Sequence, residues 1–521
     1  MDSRIEGVIM DNNYDAIVVG AGNGGLVSAL TLLEKGYNVL LLDEHNDIGG
    51  TCKSIVRGRF EFEPLFHTLF LDKPQESFNI KGLLNELDID DQMEFSSLPN
   101  LFRVITLDVG KSGYIADYKM PFGIDNFINQ MESYVPNSKE VMTEFFNVAL
   151  ECKEAMKYIK RENSNVDYNF MSEQYPIFVK IATLSISKVM DILDIPLDAQ
   201  EILNAYWMYF GSPETELSFV QYAIFMYDAI NSGLAIPKDR SYGISYALLN
   251  KYLELGGTIK YNSKVIKLMV DDCVVSGLRL YDGTLYYSDH IIMNSDMATV
   301  YSNLINTDEI PKKALKYMNA AKLGGRLFSV YLGLNVSCDD LGLDSYNYFI
   351  YHSLDSDLEY NRMKDINNGN LIANVLNVAN RDASPEGTCI LELSTLYFDD
   401  CFKNLNNNNY EQIKNNITDQ LIDSFEKATK IRIRNYIEEI EVVTPVDVAG
   451  VNGSVEGSIF GYQFSGEDNL INRIMCKNDE EYVKGLYLCG GLNGDIYNQC
   501  SSYVTGLEAA LNIIHDLGGD K

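Results

Sequence analysis

The sequence predicts an α/β protein. One parallel sheet is gathered from separate stretches of chain, and an α+β domain with a helical lid is interleaved between them. Three observations predict this. An apolar run, a glycine-rich turn and an apolar helix follow one another over residues 14–36. A second apolar run at 37–42 closes the same unit. Another strand, glycine pair and helix stand at the far end, from 485 to 516.

Each element has a local reason. Tyr14 to Val19 (YDAIVV) is β-branched and apolar with a turn behind it, so it reads as a buried strand. The turn is Gly20-Ala21-Gly22-Asn23-Gly24-Gly25, which satisfies G-x-G-x-x-G. Leu26, Leu30 and Leu33 repeat at helical spacing, and Gly36 stands where a helix-ending glycine belongs. Tyr37 to Leu42 (YNVLLL) is the second strand and runs into Asp43-Glu44. Strand, glycines, helix, strand and acid in this order make a dinucleotide-binding βαβ unit of the Rossmann type. In such a unit Gly20 permits the tight turn, Gly22 lets backbone approach a pyrophosphate, and Gly25 lets helix and strand pack closely. The helix start offers free N–H groups and a positive dipole end to phosphates. Asp43, 23 residues after Gly20, can accept hydrogen bonds from a ribose diol. An acid there argues against a 2′-phosphate, and so against NADP.

Gly256 to Asp296 alternates apolar and polar positions and breaks at Asp271-Asp272 and Asp282-Gly283, the pattern of a β-meander. Residues 120–230 read as helical, with amphipathic stretches such as Phe127 to Val135 and Gln200 to Tyr209. Ala205 to Ile230 holds the only tryptophan and a dense set of Tyr, Phe and Met. It reads either as ordinary helical core or as an apolar wall for a long or ring-shaped hydrophobic ligand. Thr388 to Leu393 reads as a strand and Asn404 to Asn409 as a surface loop. A closing helix is expected from roughly Ser502 to Asp516. The expected domains are 10–72, 232–310 and 440–521 for the nucleotide, and 73–231 and 311–439 for substrate and lid.

Composition excludes several classes. The 521 residues include 74 acidic and 42 basic side chains, a net charge of −32. Such a polyanion repels nucleic acid and anionic lipid headgroups, so neither partner is expected. With 46% apolar residues the chain is not disordered. Nine cysteines without a CxxC pair fit reduced thiols in the cytoplasm, and five dispersed histidines offer no metal site. No secretory signal is expected in the first 13 residues. The nearest approach to a membrane span, Leu217 to Tyr227, is about half the length required. Peripheral membrane contact stays open.

Six residues beyond Asp43 come Gly49-Gly50-Thr51. The stretch DEHNDIGGTCKS resembles the extended fingerprint of glutathione-reductase-like flavoproteins, in which paired glycines lead the chain back under the FAD phosphates. That resemblance implies FAD rather than NAD. It further implies that Val265 clamps the adenine through its backbone and that Asn294-Ser295-Asp296 ends a strand beside the cofactor. Gly485 to Asp495 (GLYLCGGLNGD) would close the site, with Gly491, Asp495 and Ile496 along the flavin and Asp495 meeting the ribityl chain.

From end to end the chain resembles the superfamily of phytoene desaturases, carotenoid isomerases and retinol saturases. The matching stretches are Arg59 to Pro64, Ala235-Ile236-Pro237 with Ser245 to Leu248, Val443-Thr444-Pro445 with Gly457 to Gly461, and the closing GLYLCGG. The chain departs from the superfamily at Asn493 to Cys500, at Lys238 to Ser241 and at Thr51. The two loops are more polar here, which points away from phytoene itself.

The resemblance implies an FAD-dependent oxidoreductase or redox-neutral isomerase of an apolar unsaturated molecule. Reduction or desaturation needs a proton group beside the reacting carbon. Tyr497, Arg240 and His67 are the candidates, each equally suited to a structural hydrogen bond. No second GxGxxG unit is present, so the electron donor or acceptor is a separate molecule. Two other readings fit the same fold: a flavin amine oxidase, whose cage would have to be built of tyrosine, and a non-enzymatic binding protein of the Rab GDP-dissociation-inhibitor type.

Overall fold

The computed structural model describes residues 12–64, 68–70, 80–109, 115–162, 165–320, 322–399, 401–402, 406, 408–459, 461–463, 482–491 and 499–519. Five strands form a sheet in the order Thr258–Lys260, Val39–Leu42, Ala16–Val19, Ile291–Met293, Leu486–Leu488. Every pairing is parallel. A parallel sheet needs cover on both faces. Helices Asn23–Glu34, Arg240–Glu254 and Gln499–Asp516 cover one face. The meander Val265–Asp271, Val274–Leu280, Leu285–Tyr287 covers the other. The first two strands are shorter than predicted at their starts. There Asp15 Oδ2 takes the Asn38 N–H at 2.8 Å, so a side chain replaces a ladder bond.

A second, seven-stranded sheet runs Ile437–Val443, Arg326–Leu334, Cys389–Tyr397, Leu371–Val375, Asn347–Tyr351, Phe102–Thr106, Asp117–Met120. The single parallel pairing, Asn347–Tyr351 with Phe102–Thr106, fuses strands from two distant chain segments. Strand Cys389–Tyr397 outruns the predicted Thr388–Leu393, because Ser394 Oγ bonds Ser329 Oγ at 2.6 Å and so remains in the sheet although polar. Alternation gives the sheet two apolar faces. Phe328, Val330, Leu332 and Leu334 meet the helix Tyr410–Thr429, while Leu327 and Tyr331 face the lid.

The lid consists of helices Ile124–Tyr134, Lys139–Glu162, Tyr168–Gln174, Pro176–Ile181, Ile186–Ile192, Leu197–Leu203 and Phe219–Ser232, with a 3-10 turn at Asn204–Tyr209. The aromatic segment is core. Trp207 lies 5.9 Å from Tyr351, and Tyr206 lies 5.0 Å from Phe349 and 5.3 Å from Phe225, centroid to centroid. Each such ring contributes about 1.5–3 kcal/mol by burial, which fastens the lid to the sheet. Inside the lid the buried Lys153 Nζ meets Asp228 Oδ1 at 2.5 Å, and the Asp228 side chain is only partly exposed.

Among the described residues no helix is long and apolar enough to cross a membrane, no metal-binding cluster occurs, and every cysteine is a free thiol.

Candidate cofactor site

The glycine loop lies where strand Ala16–Val19 meets helix Asn23–Glu34. Gly20 has φ +100°, and its N–H donates to Leu42 O at 2.7 Å. A Cβ on Gly25 would stand 1.9 Å from Gly20 O, so only glycine closes this turn. Gly22 caps the helix with no side-chain acceptor, and the first turn carries no acid. The free N–H groups there suit an anion.

Gly49-Gly50 passes directly over this loop. Gly49 forms a bridge with Gly22, and its N–H donates to Ala21 O at 2.9 Å. Both glycines have positive φ, +88° and +56°. A Cβ on Gly49 would press on Tyr242 and Ser245, and one on Gly50 would lie 3.5 Å from Gly22 Cα. Thr51 follows, partly exposed.

Asp43 anchors the first of these turns. Its Oδ2 accepts the Ala21 N–H at 2.7 Å, and Oδ1 accepts the His45 N–H at 2.8 Å. Oδ1 also lies 3.1 Å from His45 Nδ1, so Oδ2 is the oxygen that keeps a further lone pair for a ligand hydroxyl. Glu44 points to solvent and pairs with Lys264 at 2.8 Å. Asp43 O accepts the Ser263 N–H at 2.7 Å, which brings the chain leading to Val265 alongside.

Asn294, which the resemblance sets at the end of a strand beside the cofactor, is the hub of the glycine turns. Its N–H donates to Val19 O at 2.8 Å. A Cβ on Gly20, Gly22, Gly24 or Gly490 would meet its side chain at 3.1, 2.5, 3.1 and 2.6 Å respectively. These glycines therefore make room for the Asn294 amide. Ser295 follows, partly exposed. Gly24 and Gly506 give helices Asn23–Glu34 and Gln499–Asp516 backbone-level contact, since a Cβ on Gly506 would lie 2.3 Å from Gly24 O. Gly491 sits over the start of the closing helix, 3.1 Å from Ser502 Oγ by the same measure.

Asn23 turns its side chain inward. Its Nδ2 donates to Tyr503 Oη at 2.8 Å and to Cys52 Sγ at 3.3 Å, and its Oδ1 accepts from Ser245 Oγ at 2.5 Å. Only its backbone N–H remains for a ligand. Asn23 is the one polar side chain in the turn, and that was the available clue. Burial, then the Glu63 carboxylate, pushes the Cys52 thiol up to about 12, so Cys52 stays protonated. Glu63, also missed, is 2% exposed and accepts the Ser241 N–H at 2.7 Å.

Arg240 is a clamp. It is buried and takes φ +64°, where the resemblance puts glycine. Its Nε and Nη2 donate to Glu61 O at 3.4 and 3.2 Å, and Nη2 also reaches Ala383 O. It joins the Ile55–Phe62 hairpin to the seven-stranded sheet's domain. A guanidinium that never loses its proton is not an acid–base group. His67, Tyr497, Asp495 and Ile496 lie outside the described residues.

Set against known proteins, residues 18–87 match the NAD(P)-binding Rossmann-like domain. The chain is 23% identical to the all-trans-retinol 13,14-reductase of Danio rerio over 92% of this chain and 83% of that one. It is 23% identical to the chloroplastic prolycopene isomerase of Daucus carota over 84% of this chain and 70% of the other. The fold also resembles that of cyclohexylamine oxidase from Brevibacterium oxydans, with TM-score 0.62 at 12% identity over 97% and 99% of the two chains. The chain is thus a relative of retinol reductases and carotenoid isomerases, as its motifs imply.

Proposed function

With that kinship as premise, we propose that this chain is an FAD-dependent desaturase, C=C reductase or redox-neutral isomerase of an apolar unsaturated molecule such as an isoprenoid or polyene. One observation carries the reading. The Gly49-Gly50 pair lies on the Gly22 turn, whose Ala21 N–H is held by Asp43, at an uncapped helix start. A site lined by backbone where any Cβ would intrude fits the pyrophosphate and ribose of FAD.

In this reading the N–H groups of Gly22, Asn23, Gly24, Gly25, Gly50 and Thr51 hold the pyrophosphate, while Gly20, Ala21 and Gly49 spend theirs shaping the two turns. Asp43, with Glu44, accepts from the ribose. The Val265 backbone meets the adenine. Asn294, Ser295, Gly491, Asp495 and Ile496 run along the flavin end. When bound, FAD supplies hydride transfer. The protein's share is to orient the substrate, exclude water with its aromatic lid, and hold a proton. His67 and Tyr497 are the proton groups we propose, and Arg240 fixes the Ile55–Phe62 hairpin. The electron partner is a separate molecule. A cytoplasmic enzyme with at most peripheral lipid contact fits the reduced thiols and the charge.

Anaerobic photoreduction of the purified protein, followed by product analysis with unsaturated lipids, polyenes and enones, tests this. The expected result is a yellow protein whose products gain two hydrogens, lose two, or keep their mass. A colourless protein that takes up no FAD, or a flavin bleached only by amines, would refute it.

A further inference from the structure

A cavity of about 400 Å³ lies between strand Arg326–Leu334, helix Tyr410–Thr429 and helix Pro445–Asn452. Phe328 and Ile417, two of its walls, belong to the cluster on the sheet face turned away from the lid. The cavity is thus on the far side of the sheet from the lid, and none of the glycine turns lines it. A volume of this order holds a small ligand.

Phe402, Ile413 and Ala449 complete the apolar walls. Charge is arranged by depth. Arg326 lines the cavity with a side chain only 9% exposed, and Lys414 with one 26% exposed. The acids that line it, Asp399 and Glu456, are 65% and 60% exposed and stand at the rim. The interior is therefore positive, in a chain that carries −32 overall.

The Arg326 guanidinium is only partly used. Nη2 donates to the Glu456 carboxylate, and among the described residues Nε and Nη1 donate to nothing. A guanidinium offers five N–H donors in a planar fork that matches a carboxylate edge to edge. Glu456 fills one of those places from a left-handed backbone, φ +54°, which a non-glycine residue adopts at a cost. Its exposed carboxylate is a stand-in that an incoming anion can displace. The other polar groups are already paired. Tyr410 Oη and Thr444 Oγ1 bond each other at 3.0 Å, Thr444 Oγ1 also donates to Asp447 at 2.7 Å, and Lys414 meets the exposed Glu411 at 2.9 Å.

We infer that this cavity binds a small amphipathic acid, with its carboxylate on the free edge of Arg326 and its apolar body against Phe328, Phe402, Ile413 and Ile417. A neutral lipid would leave the guanidinium edge unpaired, and an amine would meet it as a like charge. The inference goes beyond the flavin reading and does not rest on it.

Calorimetric titration of the full-length protein with decanoate, decanol and decylamine, each below its micelle concentration, tests this. Decanoate should bind about tenfold or more tightly than decanol, and decylamine should not bind measurably. Glu456→Gln removes the competing carboxylate at an exposed position, and should tighten decanoate severalfold while leaving decanol unchanged. Arg326→Gln should erase the preference for the acid. Ala449→Phe, which fills the cavity and keeps Arg326, should abolish binding of both. Equal affinity for acid and alcohol, tighter binding of the amine, or decanoate binding that Glu456→Gln and Ala449→Phe leave unchanged would overturn the inference, as would no binding at all. Each of those results leaves the flavoenzyme reading standing.

Discussion

Glu214 lies between the lid's 3-10 turn and the helix Phe219–Ser232, among other acids. Burial, then Asp357, pushes its carboxyl up to about 7, with Asp355 and Glu201 adding to the rise. The Asn204 amide donates to it and opposes the shift. In the unfolded chain the group titrates near the ordinary value of 4.5. Between those two values the folded state holds the extra proton, so stability falls as pH rises through the window. A gap of that size corresponds to about 3 kcal/mol at most, and to about half that for a carboxyl partly open to water. Glu214→Gln keeps an acceptor for Asn204 and removes the charge. Urea unfolding followed by Trp207 fluorescence at pH 5 and pH 8 compares the two proteins. The variant should gain about 1.5 kcal/mol or more on the wild type between those pH values. If the difference between the proteins is the same at both, the burial and like-charge argument is wrong.

Three further outcomes follow from the geometry. Gly22→Ala sets a methyl 2.5 Å from Asn294 Nδ2, the end of a side chain. The fold should persist while flavin absorbance per protein drops severalfold. Asp43→Ala frees the Ala21 and His45 N–H groups together. FAD titration by flavin fluorescence should show affinity weakened by about tenfold or more, and unchanged affinity would remove Asp43 from the site. Lys153→Met alone takes the cation away from the largely enclosed Asp228, and should cost about 1.5–3 kcal/mol in urea unfolding. Lys153→Met with Asp228→Leu should recover most of it.

The nucleotide unit was legible because its chemistry is local. Gly20, Gly25 and Gly49 each answer a backbone demand made within a few residues, and sequence displays such demands directly. The lid's helical character was legible from periodicity. Asn294 was legible only through the resemblance, since its contacts with four glycines drawn from both ends of the chain appear only in the fold. Glu63 was hidden for a similar reason. Phe60, Glu61 and Phe62 alternate as a half-buried hairpin should, and nothing in that pattern shows that the next acid meets Ser241 across the fold. Arg240 looked chemical because a cation stood where the resemblance puts glycine, yet its partners are carbonyls that only tertiary structure supplies.

The split sheet also bears on how the protein is made. Strand Ile291–Met293 is an edge until Leu486–Leu488 pairs with it, and helix Asn23–Glu34 lacks its partner until Gly506 arrives. Leu486 leaves the ribosome about 440 residues after Leu42. At about 5–20 residues per second that is a wait of roughly 20–90 s. Throughout it a bare helix face is open to other nascent chains, joined for the last 190 residues or so by the edge of Ile291–Met293. Translation speed and chaperone supply should therefore govern the yield of this protein more than the stability of its finished fold.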